Sequence, residues 1–266
     1  MSHMSRILII KTGQTAREAL EAFGDYDRWF IDAMPQVGVP FKTIDATVGL
    51  GPLDDLFEGF QGAIVTGSVS AAYQVEPWMP ALEELLRRAE AARVPILCVC
   101  FGAQILAQAR GGRVTLNPSG WEIGSVDIHL TPAGLDDPLF DGLAPTFKAL
   151  ATHEDLIHRL PPGAALLASN AGTPVQAFRA AERVWGVQFH PEANVAIIET
   201  LIRLRAKELE RDAADHGIAA EGLVERLLGT LRNPEPNQAR RVLANFVRLC
   251  QVEERSSAGS PPGRLS

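Results

Sequence analysis

The chain has 266 residues, of which 46% are hydrophobic and 21% are charged. That balance is typical of a globular protein, and it excludes extended disorder, collagen-like repeats and a coiled-coil design. A formal net charge of −7 without a run of Lys or Arg disfavours binding to nucleic acid or to an anionic membrane surface. The longest apolar stretches are far shorter than the roughly 20 residues that span a bilayer.

The start of the chain and its cysteines indicate where the protein works. Met1-Ser2-His3 resembles an expression scar, so residues 1–3 are set apart and Met4 is the expected native start. No charged segment followed by an apolar one opens the sequence, which disfavours secretion. Three cysteines, two of them at positions 98 and 100, cannot form a disulfide framework. We therefore expect a cytoplasmic protein.

The first half of the chain alternates short apolar runs with helical segments. Strands are predicted over residues 6–10, 41–46, 62–66 and 94–99, and an amphipathic helix over residues 77–93. Continuous apolar runs of this length are typical of strands that are buried on both faces. Strand–helix–strand alternation implies right-handed crossovers and a parallel sheet.

Beyond Gly112 the pattern changes to strand segments without long helices. These segments cover residues 122–130, 147–152, 164–169, 174–180 and 184–189, and we expect some of them to pair antiparallel. From residue 195 to about residue 251 the pattern is helical, with interruptions near Gly217 and at residues 233–236.

The last predicted helix carries an apolar stripe that includes Val242, Leu243, Phe246 and Val247. Such a stripe requires burial, and we favour packing on the same chain over an interface with a second subunit. The expected organisation is a catalytic domain over residues 4–194, a helical extension on that domain over residues 195–252, and a disordered tail over residues 253–266.

The strongest local signal is Val94-Pro-Ile-Leu-Cys-Val-Cys100-Phe-Gly-Ala-Gln104. A buried strand runs into Cys100 and passes at once into a helix, with Gly102 permitting close backbone approach. This is the layout of a nucleophile elbow, and the helix N-terminus favours the thiolate form of the cysteine. The alternative for Cys100 is a buried cysteine at the end of a core strand, which is the interpretation that we keep for Cys98.

A second signal follows 90 residues later, in Val184-Trp-Gly-Val-Gln-Phe-His190-Pro-Glu192. Pro191 biases His190 toward an extended backbone, in which positions 190 and 192 project to the same side. Glu192 is therefore able to hold the imidazole of His190 in one tautomer, as a cysteine–histidine pair requires.

Four blocks together resemble the class I glutamine amidotransferases, which use a Cys–His–Glu triad. The elbow and the His-Pro-Glu block match, Val65-Thr-Gly67-Ser68-Val-Ser70 stands where the family has its oxyanion loop, and Thr152-His153-Glu-Asp155 stands in place of its Ser-His-x-Asp. The resemblance is nearest to stand-alone proteins similar to the amidotransferase domain of GMP synthase, which carry a Glu-Pro-Trp like Glu76-Pro77-Trp78 and a helical C-terminal extension.

This resemblance implies a flavodoxin-like α/β fold: a mixed, mostly parallel sheet that is flanked by helices and followed by the helical extension. It also implies that Cys100 attacks the glutamine side-chain amide, that His190 transfers the proton and that Glu192 orients His190. The backbone amides of Gly67 and Phe101 would form the oxyanion hole. Gln104, Ser68 and His153 would contact substrate, although Gln104 could instead be an exposed helical amide and His153 a satisfied loop histidine.

Three functions remain open at this point. The favoured one is a glutamine amidotransferase or glutaminase that supplies ammonia to an acceptor synthetase on another chain. The second is a γ-glutamyl peptidase or hydrolase that uses the same triad, and the third is a non-catalytic binding module, which an intact triad disfavours. The sequence contains no ATP-binding loop and no zinc-ligand spacing, so we expect neither a cofactor nor a metal. The oligomeric state is not predicted.

Overall fold

The computed structural model of the chain describes residues 6–34, 38–232, 235 and 237–257. The strands in these ranges are β1 (Ile7–Lys11), β2 (Phe41–Asp45), β3 (Gly62–Val65), β4 (Ile96–Val99), β5 (Arg113–Leu116), β6 (Glu122–Leu130), β7 (Thr146–His153), β8 (Asp155–Arg159), β9 (Ala165–Ser169), β10 (Ala177–Ala181) and β11 (Val184–Val187). The α-helices are α1 (Arg17–Phe23), α2 (Tyr26–Ala33), α3 (Met79–Ala91), α4 (Phe101–Ala109), α5 (Pro132–Leu135), α6 (Val195–Leu204), α7 (Ala206–Asp215), α8 (Leu223–Thr230) and α9 (Arg241–Ser257).

The main sheet has the strand order β2-β1-β3-β4-β11-β10-β9-β6-β7. Strands β2, β1, β3, β4 and β11 run parallel, whereas β10, β9, β6 and β7 pair antiparallel. The order of the parallel half is that of a flavodoxin-like fold, which confirms the predicted fold class. Ligands of such sheets bind outside the carboxyl ends of the parallel strands, and those ends carry the predicted site.

The parallel strands β1, β3, β4 and β11 are buried on both faces, as their continuous apolar runs predict, whereas the edge strand β2 is partly exposed. In β1, Ile7 and Ile9 belong to the hydrophobic cluster on one face of the sheet, and Leu8 and Ile10 to the cluster on the other. In β4 the alternation places Cys98 on the same face as Ile96, and it ends at Val99. Cys100 follows the strand in a turn with φ 52° and belongs to the cluster on the other face, so only this cysteine reaches the carboxyl edge of the sheet.

A smaller two-stranded sheet, formed by β5 and β8, was not predicted. Both strands are short, and each leaves part of its length exposed. Strands of four or five residues with this mixed burial carry too few apolar positions to produce a period of two.

The final helix lies against one face of the main sheet. Phe246 of α9 is fully buried and contacts the Trp185 ring edge-to-face, with ring centroids 6.3 Å apart. The preceding residue, Asn245, donates a hydrogen bond from its side chain to the Leu139 carbonyl at 2.9 Å. The helix extends through Ser257 and thus into the segment predicted as a disordered tail. Residues 1–3 and 258–266 of the predicted scar and tail lie outside the described residues.

None of the helices in the described part of the chain is both long enough and apolar enough to cross a membrane.

Candidate active site

Cys100 stands at the sharp turn between β4 and α4. Its backbone has φ 52° and ψ −110°, a conformation that side chains other than glycine rarely adopt. The turn is held by a hydrogen bond from the Cys100 amide to the Val187 carbonyl at 2.8 Å. A Cβ atom at Gly102 would lie 2.7 Å from the Val65 carbonyl oxygen, so this position requires glycine. The strained turn aims the thiol into a cleft, and Cys100 is 6% exposed.

Cys98 differs from Cys100 in every respect that matters for reactivity. It is fully buried in the hydrophobic cluster on the opposite face of the sheet. Burial raises the pKa of its thiol far above the ordinary range, which holds it in the neutral form. Its surroundings are those of a core residue.

The ring of His190 lies across Gly67 from Cys100. A Cβ atom built on Gly67 would be 3.2 Å from His190 Cε1 and 4.0 Å from Cys100 Sγ, which shows how closely the three residues approach. His190 Nδ1 is 2.8 Å from Glu192 Oε1, and both side chains are buried. His190 Nε2 makes no hydrogen bond to any described residue. The structure thus brings the three predicted triad residues together and leaves one imidazole nitrogen available for proton transfer.

The charge state of His190 follows from its neighbours. Burial alone would lower the pKa of the imidazole, but the adjoining charges of Glu192 and Cys100 outweigh it. The pKa of His190 is therefore raised well above the usual value of a histidine. The raised pKa favours the imidazolium form of His190 at neutral pH.

The loop after β3 is oriented by two buried threonines. Thr12 Oγ1 donates to the Thr66 carbonyl at 3.1 Å and to the Gly67 carbonyl at 2.8 Å, and Thr66 Oγ1 lies 3.0 Å from that second carbonyl. Because a trans peptide places its N–H opposite its carbonyl, these bonds fix the direction of the Gly67 amide. Neither that amide nor the amide of Phe101 donates to another described residue. The two N–H groups that are predicted to form the oxyanion hole therefore have no acceptor among the described residues, and both lie beside Cys100.

The Glu-Pro-Trp segment supports the same loop. Ser70 Oγ donates to Glu76 Oε1 at 2.5 Å, and Trp78 Nε1 donates to Glu76 Oε2 at 2.9 Å. Ser68 Oγ in turn accepts a hydrogen bond from the Ser70 amide at 3.1 Å. Ser68 lines the cleft, and its position depends on this chain of bonds.

Replacing Gly67 by alanine tests the close approach at this loop. The added methyl group would press on His190 Cε1, so we expect kcat for the amide substrate to fall by roughly 10- to 100-fold, as small displacements of reacting groups do. The matched control is Gly229→Ala in α8, where a Cβ atom meets nothing within 4 Å. Steady-state kinetics of both variants make the comparison, and an unchanged kcat in Gly67→Ala would contradict the geometry.

Gln104 and His153 both line the cleft, but their polar atoms are largely engaged. Gln104 is 3% exposed, so the alternative of an exposed helical amide is wrong. Its Nε2 atom donates to the Asp155 carbonyl at 3.1 Å and to Gln188 Oε1 at 3.2 Å. The amide nitrogen of Gln104 is therefore engaged within the protein.

Both ring nitrogens of His153 face acceptors: Nδ1 is 2.9 Å from the Asp155 carbonyl, and Nε2 is 2.9 Å from Glu122 Oε2. Burial opposes ionisation of Glu122, but hydrogen bonds from His153, Asn170 and Gln176 hold its pKa below the ordinary value. His153 is thus a satisfied histidine and also part of the cleft wall, so the two alternatives from the sequence are compatible.

Gln188 is a residue near the nucleophile that the sequence reasoning did not assign. Its Nε2 atom lies 3.6 Å from Cys100 Sγ, within range of a hydrogen bond to sulfur, and its Oε1 atom accepts from Gln104. The signal was present, because residues 188 and 190 of an extended segment project to the same side.

The cleft has a volume of about 310 Å³ and extends well beyond the predicted residues. Its farther wall is formed by Tyr26 and Trp29 of α2, by Trp121, and by residues of the helical extension. No group of three or more potential metal ligands occurs among the residues that the structure describes.

A cysteine on a strained strand-to-helix turn, opposite a histidine held by a carboxylate, defines the site of a cysteine-dependent hydrolase. Comparison with known proteins narrows this class. The family model for glutamine amidotransferase class I matches residues 19–200, which is more than half of the chain. The chain belongs to this family, whose members are cysteine-dependent amide hydrolases.

Individual relatives differ in how much of the chain they match. Gamma-glutamyl peptidase 5 of Arabidopsis thaliana is 27% identical over 234 residues, which cover 86% of this chain and 89% of that protein. GMP synthase of Parafrankia sp. (strain EAN1pec) is 37% identical over 132 residues, which cover 48% of this chain and 23% of that protein. The solved structure of a glutamine amidotransferase from Thermotoga maritima covers 94% of this chain and 99% of its own, with a TM-score of 0.70 and 20% identity. This last likeness confirms the fold.

Proposed function

We propose that the protein hydrolyses the side-chain amide of glutamine through a γ-glutamyl thioester on Cys100, releasing glutamate and ammonia. The observation that carries this proposal is the approach of Cys100 and His190 across Gly67, with Glu192 bonded to the far side of the imidazole. Family membership supplies the class of substrate, a γ-glutamyl amide.

The first chemical step forms the thioester. Cys100 Sγ attacks the amide carbon as a thiolate, and the carbonyl electron pair moves to oxygen. The resulting oxyanion accepts hydrogen bonds from the amides of Gly67 and Phe101, each worth about 3 kcal/mol in comparable sites. His190 then donates its Nε2 proton to the leaving nitrogen, the C–N bond breaks and ammonia departs.

The second step consumes water. Neutral His190 removes a proton from a water molecule, whose oxygen attacks the thioester carbon. The C–S bond breaks, glutamate is released, and the Cys100 thiolate and the His190 imidazolium are restored. Glu192 stabilises the imidazolium in both steps and does not itself take the proton. Gln104, Ser68 and His153 line the cleft where the glutamyl part of the substrate would bind.

A γ-glutamyl peptidase with the same triad is the second candidate, and one observation favours it. The match to gamma-glutamyl peptidase 5 covers 89% of that protein, whereas the match to GMP synthase covers 23% of that longer protein. In the first candidate the ammonia passes to a synthetase on another chain. In the second, the leaving group is an amino acid or peptide and no acceptor is needed.

We also propose that residues 4–194 form the catalytic domain, that residues 195–252 pack on it as an extension, and that the protein works in the cytoplasm. Contacts of α9 with the sheet support the intramolecular packing, among them the edge-to-face pair of Phe246 and Trp185.

Incubation with glutamine and with γ-glutamyl dipeptides, with glutamate and ammonia measured in parallel, tests the function. Equal amounts of glutamate and ammonia from glutamine support the amidotransferase proposal. Glutamate from dipeptides without turnover of glutamine favours the peptidase. Absence of glutamate from every substrate would contradict both and leave the non-catalytic binding module.

Glu192→Gln tests the charge on the histidine. Removing the carboxylate charge should lower turnover by about 10²- to 10⁴-fold with little change in KM, because Glu192 contacts His190 and not the ligand. The charge of Glu192 raises the pKa of His190, so its removal lowers that pKa. The imidazolium is then lost at lower pH, and the alkaline limb of the kcat/KM profile should move toward acid. The control is Glu210→Gln on the exposed side of α7. A profile that does not move would remove Glu192 from the triad.

A further inference from the structure

Arg205 brings a positive charge from the C-terminal helices into the cleft. It is the junction residue between α6 and α7, with φ −94° and ψ 9°. It lines the same cleft as Cys100, together with Leu201 and Glu208 of these helices. The residues predicted from the sequence all precede residue 195, so this contribution of the extension is new.

The guanidinium of Arg205 makes a cation–π contact rather than an ion pair. Its central carbon lies 5.2 Å from the centroid of the Trp121 ring. Among the residues that the structure describes, no carboxylate forms a salt bridge with Arg205, although Glu208 lines the same cleft. A cation–π contact restricts the position of a guanidinium and uses none of its N–H groups.

One nitrogen of this guanidinium lacks a partner among the described residues. Arg205 Nη1 is buried and makes no hydrogen bond to any described residue. A buried, unpaired donor of a charged group is costly, and natural sites retain one where a ligand supplies the acceptor. The donor thus indicates an anionic oxygen that is absent from the free protein.

Tyr26 lines the same cleft as Arg205 and the predicted nucleophile Cys100. Burial and the charge of Cys100 raise the pKa of the Tyr26 hydroxyl, and the charge of Arg205 opposes this. A single phenol side chain is therefore within electrostatic reach of both the thiol and the guanidinium. Cys100, Tyr26 and Arg205 all line one cleft, so a ligand bound covalently at Cys100 shares that cleft with Arg205.

We propose that Arg205 binds a carboxylate group of the γ-glutamyl substrate and determines specificity at the far wall of the cleft. This inference rests on the proposed function, which supplies the substrate class. A carboxylate accepts two parallel hydrogen bonds from a planar guanidinium, and the unpartnered Nη1 of Arg205 is able to donate one of them. The carboxylate is either the α-carboxylate of the glutamyl residue or the carboxylate of a leaving amino acid.

Three substrates separate these two sources. Glutamine and γ-glutamylglycinamide carry only the α-carboxylate, whereas γ-glutamylglycine carries a second carboxylate on the leaving residue. For Arg205→Gln we expect KM to rise by about 10- to 100-fold for each substrate whose carboxylate is bound, with kcat nearly unchanged. A rise for all three substrates identifies the α-carboxylate, and a rise for γ-glutamylglycine alone identifies the leaving residue.

The internal control is 4-aminobutanamide, which is glutamine without its carboxylate. Its inhibition constant should be the same for the wild type and for Arg205→Gln. The matched variant is Arg203→Gln on the same helical segment, since Arg203 is 60% exposed and pairs with Glu199. If Arg205→Gln does not fold, Arg205→Lys takes its place, because lysine keeps the positive charge but has no planar guanidinium. The same measurements should then show a smaller rise in KM.

Two results would overturn the role of Arg205. One is a KM that does not change for any of the three substrates, and the other is an equal loss of affinity for 4-aminobutanamide. A wild-type protein that hydrolyses none of the substrates would instead contradict the proposed function itself, so the two failures are distinguishable.

Discussion

Cys100→Ser is expected to reduce hydrolysis of any γ-glutamyl substrate by about 10⁴-fold or more, as removal of a triad nucleophile does in comparable enzymes. A serine hydroxyl is far less acidic than a thiol, so it provides no anionic nucleophile at neutral pH. The imidazolium of His190 is already protonated and cannot remove the hydroxyl proton. The strained turn at φ 52° is a property of the backbone and should persist in the variant. Single-turnover assays of glutamate release measure the loss.

The control for this experiment is Cys98, the cysteine within β4. Cys98→Ala removes a thiol that is fully buried on the opposite face of the sheet, and most of the activity should remain. Alanine is preferred to serine here, because a hydroxyl buried in apolar surroundings would cost about 1–3 kcal/mol. Loss of activity in Cys98→Ala with Cys100→Ser still active would reverse the assignment.

Phe246→Ala is expected to lower the free energy of unfolding by about 3–5 kcal/mol, the usual cost of truncating a fully buried phenylalanine. Phe246 is inaccessible to solvent, and its ring contacts Trp185 edge-to-face beneath the sheet. The substitution leaves a cavity between α9 and β11, while the triad lies on other elements. Urea denaturation of wild type and variant measures the difference.

Val48→Ala supplies the comparison, since Val48 is 87% exposed and its truncation should change stability by no more than about 0.5 kcal/mol. A loss below about 1 kcal/mol in Phe246→Ala would show that α9 contributes little to the core of its own chain. That outcome would favour a second subunit as the surface that covers the apolar stripe.

The elbow and the His-Pro-Glu block were predictable because each is contiguous in sequence. A buried strand, a turn and a helix follow one another around Cys100, so local patterning alone places the thiol at the carboxyl edge of the sheet. The parallel strands were predictable for the same reason, since their apolar runs suit burial on both faces. These signals required no knowledge of distant contacts.

Contacts between distant segments were not predictable. The pairing of Glu122 with His153 depends on the register of β6 against β7, and a shift by one residue would turn one of them away. Arg205 and Trp121 are 84 positions apart in the sequence and meet only in the tertiary structure, so no pattern within either segment encodes their contact. The far wall of the cleft therefore appeared only with the tertiary structure.

The central claim is that Cys100 forms a thioester with the γ-carbonyl of the substrate. Its most direct test is labelling with an alkylating glutamine analogue such as 6-diazo-5-oxo-norleucine, followed by peptide mass spectrometry. We predict one adduct per chain on Cys100, its formation slowed by glutamine and abolished in Cys100→Ser. An adduct on Cys98 or Cys250, or labelling of Cys100 that glutamine does not slow, would contradict the claim.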